Sequence, residues 1–284
     1  MEQVKGTLIP IGGNEDKGEN EINGIDFISD GILSEVVNES GGIDAKIIVV
    51  PTASRIPDTV GEMYEQAFDK LGCKNITVVN LTEVSQGNDL EILALFENAN
   101  CVMFSGGDQS RITSVFKNTQ LHELLLRKYT NDPFVIAGTS AGAMAMAIEM
   151  IAGGSSQEAL LKGAVKMTTG IGLIPELIID THFIKRGRFG RLAEAVAIHP
   201  DLVGIGLAED TGLIIKNGDE CKVIGSGMVI IMDARKLQHN AHETLKEGTP
   251  MSMSNLTTHI LAYGDRFTLH DRSISVSPIE NEVV

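Results

Sequence analysis

Basic residues are scarce in this chain: 23 Lys and Arg face 38 Asp and Glu across 284 residues, a net charge of −15. Nucleic-acid binders use basic surface to displace counterions from phosphates, so that class is excluded. Cysteine occurs three times, at Cys73, Cys101 and Cys221, too widely spaced for a disulfide framework. Long hydrophobic runs are missing as well. The longest fall far short of the roughly 20 residues needed to cross a bilayer, so no membrane span is expected. Met1 to Gly6 lead into an apolar run without the charged-then-apolar pattern of a secretory leader, which predicts a cytoplasmic protein. Linkers, low-complexity tracts and internal repeats are also lacking, and the expectation is one domain over residues 1–284.

What the chain does have is 43% hydrophobic residues, ample for a core. Short apolar runs at Thr7 to Ile11, Lys46 to Val50, Ile76 to Asn80, Cys101 to Phe104 and Phe134 to Ala137 read as buried parallel strands. Between them, Ile22 to Glu39, Pro57 to Leu71, Leu90 to Glu97 and Arg111 to Tyr129 carry apolar residues at helical spacing. The order predicts an α/β fold, a mostly parallel sheet with helices on both faces. In the second half, Leu202 to Leu207, Gly212 to Lys216, Cys221 to Gly225 and Met228 to Met232 are joined by turns such as Asn217-Gly218. They predict a β-rich C-terminal part extending the sheet. Ligands of such sheets gather at the carboxyl ends of the parallel strands. There lie Gly12-Gly13, Pro51 to Ser54, Ser105 to Gln109 and Gly138 to Gly142.

Gly138-Thr139-Ser140-Ala141-Gly142 is the most informative of these, because it follows a strand and opens an alanine- and methionine-rich stretch, Ala141 to Met150. Glycines on either side allow the tight bend that presents Ser140 as a nucleophile, and the N–H of Ala141, first in a helix, is free to receive an oxyanion. A serine hydroxyl needs a base, and that base needs an orienting group. His182, just past Leu177 to Ile179, is better placed than His122, His199, His239, His242, His259 or His270. Glu209, after Ile205 to Ala208, is preferred as orienting acid, with Asp180 in competition. A second oxyanion donor fits Gly107, each donor being worth roughly 3–4 kcal/mol of transition-state stabilisation. Neither G-x-G-x-x-G nor a P-loop occurs, and no histidine and carboxylate set has metal-ligand spacing. No cofactor and no metal are expected. Four cations within Lys185 to Arg191 stand out in an acidic chain, either as a solvated turn or as a binding cluster.

Taken together and in order, Gly12-Gly13 with Glu15-Asp16-Lys17, Ser105 to Gln109, Gly138 to Ala143, Asp180-Thr181-His182-Phe183 with the arginines after it, Gly206 to Thr211, and His259 to Leu261 with Gly264-Asp265-Arg266 make the chain resemble the cyanophycinases. These are serine-type exopeptidases similar in fold to class I glutamine amidotransferases, which are flavodoxin-like, and to aspartyl dipeptidase. They release β-Asp-Arg dipeptides from a polyaspartate backbone whose side-chain carboxyls carry arginine. The resemblance implies Ser140 as nucleophile, His182 as base, Glu209 as orienting acid, and Gly107 and Ala141 as oxyanion donors. It also implies substrate-binding roles for Gln109, Asp180, Thr181, Arg186, Arg188 and Arg191, and a homodimer. Arginines there suit aspartyl carboxylates, and acidic groups suit the substrate guanidinium. The family usually carries glutamine where this chain has Thr181. Two other readings stand beside this one: an aspartyl dipeptidase-like enzyme for other acidic or β-aspartyl peptides, and a catalytically silent protein binding a ligand at the same sheet edge.

Overall fold

A computed structural model describes residues 4–18, 26–154 and 158–277. The first half runs β1 (Thr7–Ile11), α1 (Ile32–Glu39), β2 (Ile47–Val50), α2 (Pro57–Lys70), β3 (Ile76–Val78), α3 (Leu90–Glu97) and β4 (Cys101–Phe104). It continues through α4 (Gln109–Phe116), α5 (Gln120–Asn131), β5 (Val135–Thr139) and the short α6 (Ala141–Ala145). The second half holds β6 (Glu149–Gly153), β7 (Lys166–Thr169), β8 (Leu177–Asp180), α7 (Phe189–Ile198), β9 (Val203–Leu207) and β10 (Thr211–Lys216). Last come β11 (Glu220–Gly225), β12 (Val229–Asp233), β13 (Thr257–Leu261), β14 (Arg266–Thr268) and β15 (Ile274–Ser275).

Strands β1 to β5 form the parallel body of a nine-stranded sheet ordered β15-β14-β11-β10-β1-β5-β4-β2-β3. Because both faces are covered, alternate residues of one strand enter different cores. Ile9, Ile11, Ile47, Val49 and Met103 pack with α1 and α2, whereas Leu8, Ile48, Val50, Val102 and Ile136 pack on the side of α4, α5 and the second sheet. That is why these strands read as continuous apolar runs. The C-terminal β-rich part divides. Strands β10, β11, β14 and β15 extend the main sheet antiparallel, while β8, β9, β12 and β13 build a separate four-stranded sheet in the order β13-β12-β9-β8.

Three boundaries differ from the sequence expectation, each for a local reason. Helix α1 starts at Ile32; of the expected earlier part, residues 22–25 lie outside the described residues and 26–31 are turn, where the Asp26 carboxylate accepts from the N–H groups of Ile28 at 2.8 Å and Ser29 at 3.0 Å. The stretch from Arg111 to Tyr129 breaks into two helices at Asn118 (φ 61°), and Thr119 caps the second through the N–H of His122. Helix α6 is only five residues long, and Ala147 to Met150 leave it despite their helical propensity. Carbonyls of Ala145, Met146, Ala147 and Ile148 instead accept N–H groups from residues 170–174, and the side chains of Met146, Ala147 and Met150 are fully buried. Tertiary packing overrides propensity there.

At the end of the sheet opposite the serine turn, the Lys128 ammonium closes the seam between α5 and α3. It donates to the carbonyls of Phe96 at 3.1 Å, Glu97 at 2.5 Å and Ala99 at 2.8 Å, and lies 4.5 Å from the Phe134 ring centre. Replacement by methionine leaves three carbonyls without that donor. Lys128→Met is expected to cost about 3 kcal/mol in urea unfolding, with Ser140 reactivity kept in the folded enzyme; unchanged stability would show that water substitutes for the ammonium.

Candidate active site

Strand β1 ends beside the three loops that follow β5, β8 and β9. Its successive carbonyls each take one backbone N–H: Ile11 from Ser140 at 2.9 Å, Gly12 from His182 at 2.8 Å and Gly13 from Asp210 at 2.9 Å. Ser140, His182 and Asp210 all have positive φ, at 51°, 47° and 47°. Such conformations cost about 1–3 kcal/mol each and persist only where the surroundings hold them. At Gly13, φ is 102° and a Cβ would lie 2.4 Å from His182 Cε1, so the imidazole rests against bare backbone.

The side chains complete a relay. Ser140 Oγ is 3.0 Å from His182 Nε2, and His182 Nδ1 is 2.7 Å from Glu209 Oε1. Lys185 Nζ donates to the other carboxylate oxygen at 2.9 Å. Serine comes from the nine-stranded sheet, histidine from the four-stranded one, and the acid from the link between β9 and β10 that crosses from one to the other. Burial holds the His182 imidazole below its ordinary pKa against the pull of its Glu209 hydrogen bond, and the charges of Arg186 and Arg188 lower it further. Partial burial would raise Glu209, but hydrogen bonds from His182 and Lys185 outweigh it and keep the carboxyl below the usual range. The pair at neutral pH is thus a neutral imidazole on an ionised carboxylate, poised to take a proton from Ser140.

A cleft of about 390 Å³ opens over Ser140 and His182, with Glu15, Lys17, Tyr64, Gly107 and Arg186 among its walls. The Ser105 to Gln109 loop reaches the serine closely, since a Cβ on Gly106 would meet Ser140 Cβ at 3.3 Å. Gly107 (φ 144°) has no room for a side chain, whose Cβ would fall 2.0 Å from the Ala53 carbonyl oxygen. Among the described residues, neither the Gly107 nor the Ala141 N–H donates a hydrogen bond, so both flank Ser140 unpaired.

The remaining residues singled out in the sequence fall into two groups. Arg186 lines the cleft, and its guanidinium makes no ion pair among the described residues. Asp180, Thr181 and Arg191 are buried at 0%, 0% and 5% exposure behind the His182 turn. Asp180 takes Arg191 on both oxygens, with Nε at 2.8 Å, and Arg188 Nη1 at 2.9 Å; Arg188 also donates to the Thr181 carbonyl at 2.7 Å. The Thr181 hydroxyl points to Met144 Sδ at 3.4 Å. Gln109 donates to the Ile151 carbonyl at 2.8 Å. Asp180 therefore orients no imidazole and offers no vacant oxygen to a guanidinium; it and the two arginines brace the strand end that carries His182. Glu15 had no assigned role in the sequence, yet it is a buried wall of the cleft; its place two residues after Gly13 was the available signal.

Peptidase family S51 matches residues 28–224. The chain belongs to peptidase family S51. Among the relatives of this S51 serine peptidase is the cyanophycinase of Trichormus variabilis (strain ATCC 29413 / PCC 7937), 37% identical over 95% of this chain and 88% of that protein. Another, the cyanophycinase of Geminocystis herdmanii (strain PCC 6308), is 35% identical over 93% of this chain and 94% of its own. In fold it is similar to a peptidase from an acI-B1 Actinobacterium, with a TM-score of 0.64 at 20% identity over 94% of this chain and 98% of that one. A putative peptidase E from Listeria monocytogenes EGD-e gives 0.52 at 16% identity over 77% and 98%. Among the described residues no helix is long and apolar enough to cross a membrane.

Two outcomes test this geometry. The acid limb of kcat/KM against pH is expected to have its midpoint below the roughly 6.5 of an ordinary histidine, and Arg186→Ala, which removes a cation beside the imidazole, is expected to move it upward. An unmoved midpoint would mean that another group sets the limb. Asp180→Asn leaves two buried guanidinium groups poorly paired and is expected to lower stability by about 3–5 kcal/mol in chemical unfolding; a change confined to KM would instead put Asp180 in contact with substrate.

Proposed function

We propose that this peptidase hydrolyses cyanophycin and releases β-Asp-Arg dipeptides through an acyl-enzyme. The observation that carries the reading is the continuous Ser140–His182–Glu209 relay opening onto the cleft, in a chain with cyanophycinases among its relatives. Ser140 Oγ attacks the scissile carbonyl as its proton passes to His182 Nε2, and Glu209 stabilises the imidazolium through Nδ1. The carbonyl oxygen, now anionic, is received by the N–H groups of Gly107 and Ala141. His182 then gives its proton to the leaving amine, the C–N bond breaks, and the acyl group stays on Ser140. Water, deprotonated by the same imidazole, attacks that ester and restores the serine. Arginine joined to aspartate through its α-amine keeps a free α-carboxylate, and Arg186 is the cleft cation placed to pair with it. The resemblance to cyanophycinases extends the reading to a homodimer.

One observation favours a second reading, a peptidase for other acidic or β-aspartyl peptides. Asp180 and Glu15, the carboxylates that could take a substrate guanidinium, are engaged with cations of the chain itself. The experiment that separates the two incubates pure enzyme and its Ser140→Ala variant with insoluble cyanophycin, and in parallel with β-aspartyl peptides lacking arginine, identifying products by mass. Release of β-Asp-Arg by the wild type, with turnover in Ser140→Ala down by at least about 10⁴-fold, is the expected result. Cleavage of the arginine-free peptides alone would replace the first reading by the second, and full activity of the serine variant would end both.

A further inference from the structure

We infer that Glu15 is a positioning residue for the nucleophile, its buried carboxylate fixing Thr139 and through it the turn that presents Ser140. The inference rests on Ser140 being the nucleophile of the proposed reaction and asks nothing of the substrate's identity. Glu15 is 4% exposed, and both of its oxygens are occupied. Oε2 accepts from Thr139 Oγ1 at 2.5 Å; Oε1 accepts from the Tyr64 hydroxyl and from Lys17 Nζ at 2.9 Å. Lys17 is itself held by the Glu15 carbonyl at 3.3 Å and lies 5.0 Å from the Tyr64 ring centre.

Burial alone would make this carboxyl hard to ionise, but Lys17 and the two hydroxyls outweigh burial and hold it below the ordinary range. Tyr64, pushed well above its usual value by burial and by Glu15, stays protonated and donates. The result is a fixed anion in the cleft wall, built from the β1 loop, α2 and the end of β5. Thr139 is β-branched, so securing its Oγ1 also secures the rotamer and hence the backbone from which it projects. The next residue, Ser140, has φ 51° and ψ −109° and is tied on its N–H side to Ile11. The Thr139–Ser140 peptide is thus pinned by backbone from β1 on one side and by an ionised side chain on the other. A charge-assisted hydrogen bond of this kind adds to the backbone bonds that hold the strained turn, from the Ser140 N–H to Ile11 and from the Met144 N–H to the Ser140 carbonyl.

The decisive measurement is the rate at which a fluorophosphonate labels Ser140, where the serine oxygen bonds to phosphorus, fluoride leaves and His182 takes the proton. It reads nucleophile geometry with no need for substrate recognition. Thr139→Ser, which keeps the hydroxyl, is expected to label close to the wild-type rate. Thr139→Val and Glu15→Gln are each expected to be roughly 10- to 100-fold slower, at melting temperatures that show folded protein, and the double variant no slower than the worse single one. Wild-type rates in Thr139→Val or in Glu15→Gln, equal slowing in Thr139→Ser and Thr139→Val, or losses that multiply in the double variant would overturn the inference. If Glu15→Gln fails to fold, the serine and valine variants at position 139 decide alone. A wild type that does not label at Ser140 would remove the nucleophile and this inference with it, whereas one that labels but leaves cyanophycin intact would remove only the substrate reading.

Discussion

Three consecutive carbonyls at the end of β1, those of Ile11, Gly12 and Gly13, receive the N–H groups of Ser140, His182 and Asp210. Around this short ladder every other feature of the site is arranged. Each loop it holds contains a backbone torsion that an L-residue adopts at a cost. Glycine at position 13 lets the imidazole lie directly on the ladder. The relay is therefore organised by backbone before any side chain acts, and a central parallel strand, hydrogen-bonded on both sides and covered on both faces, is among the most rigid supports a chain can offer.

Charge is layered around the relay in a way that explains how an acidic protein keeps cations near its serine. Asp180 and Glu15 are both buried carboxylates, and both are matched by basic groups of the chain: Arg188 and Arg191 for the first, Lys17 for the second. The Glu15–Lys17 pair is neutral, whereas Asp180 with its two arginines keeps one positive charge in surplus. Arg186 and Arg188 both lower His182, and Lys185 helps to keep Glu209 ionised. Four cations in seven residues thus serve two separate ends, bracing the strand behind the histidine and tuning the electrostatics in front of it.

Much of this was legible in the sequence because strand ends are marked by chemistry. Ser140, His182 and Glu209 each follow an apolar run, at the carboxyl ends of parallel strands, β5 in one sheet and β8 and β9 in the other, where such positions gather. What could not be read depended on contacts between distant residues. The apolar runs of the second half look alike, so nothing local says that β9 and β12 join β8 in a sheet apart from β10 and β11. The stretch after Ser140 carries helix-forming alanine and methionine, but its carbonyls find better partners in residues 170–174. Glu15 is a loop carboxylate without a role until Tyr64 and Thr139, 49 and 124 residues away, close over it. Asp180 competes with Glu209 as orienting acid in the sequence and takes a substrate role from the resemblance, while its pairing with arginines eight and eleven positions later has no local signal.

The division of the relay between two sheets sets an order in which competence can arise. The parallel body, with the elbow and both flanking N–H groups, is encoded before residue 146 and pairs within itself. The base and its acid come only with the second sheet, and the residues flanking Glu209, Ala208 and Asp210, bond to Met228 and Ser226. A growing chain emerging from the ribosome therefore carries a serine whose base and acid are still 42 and 69 residues away. Proteolytic potential is withheld by topology until the second sheet has been added.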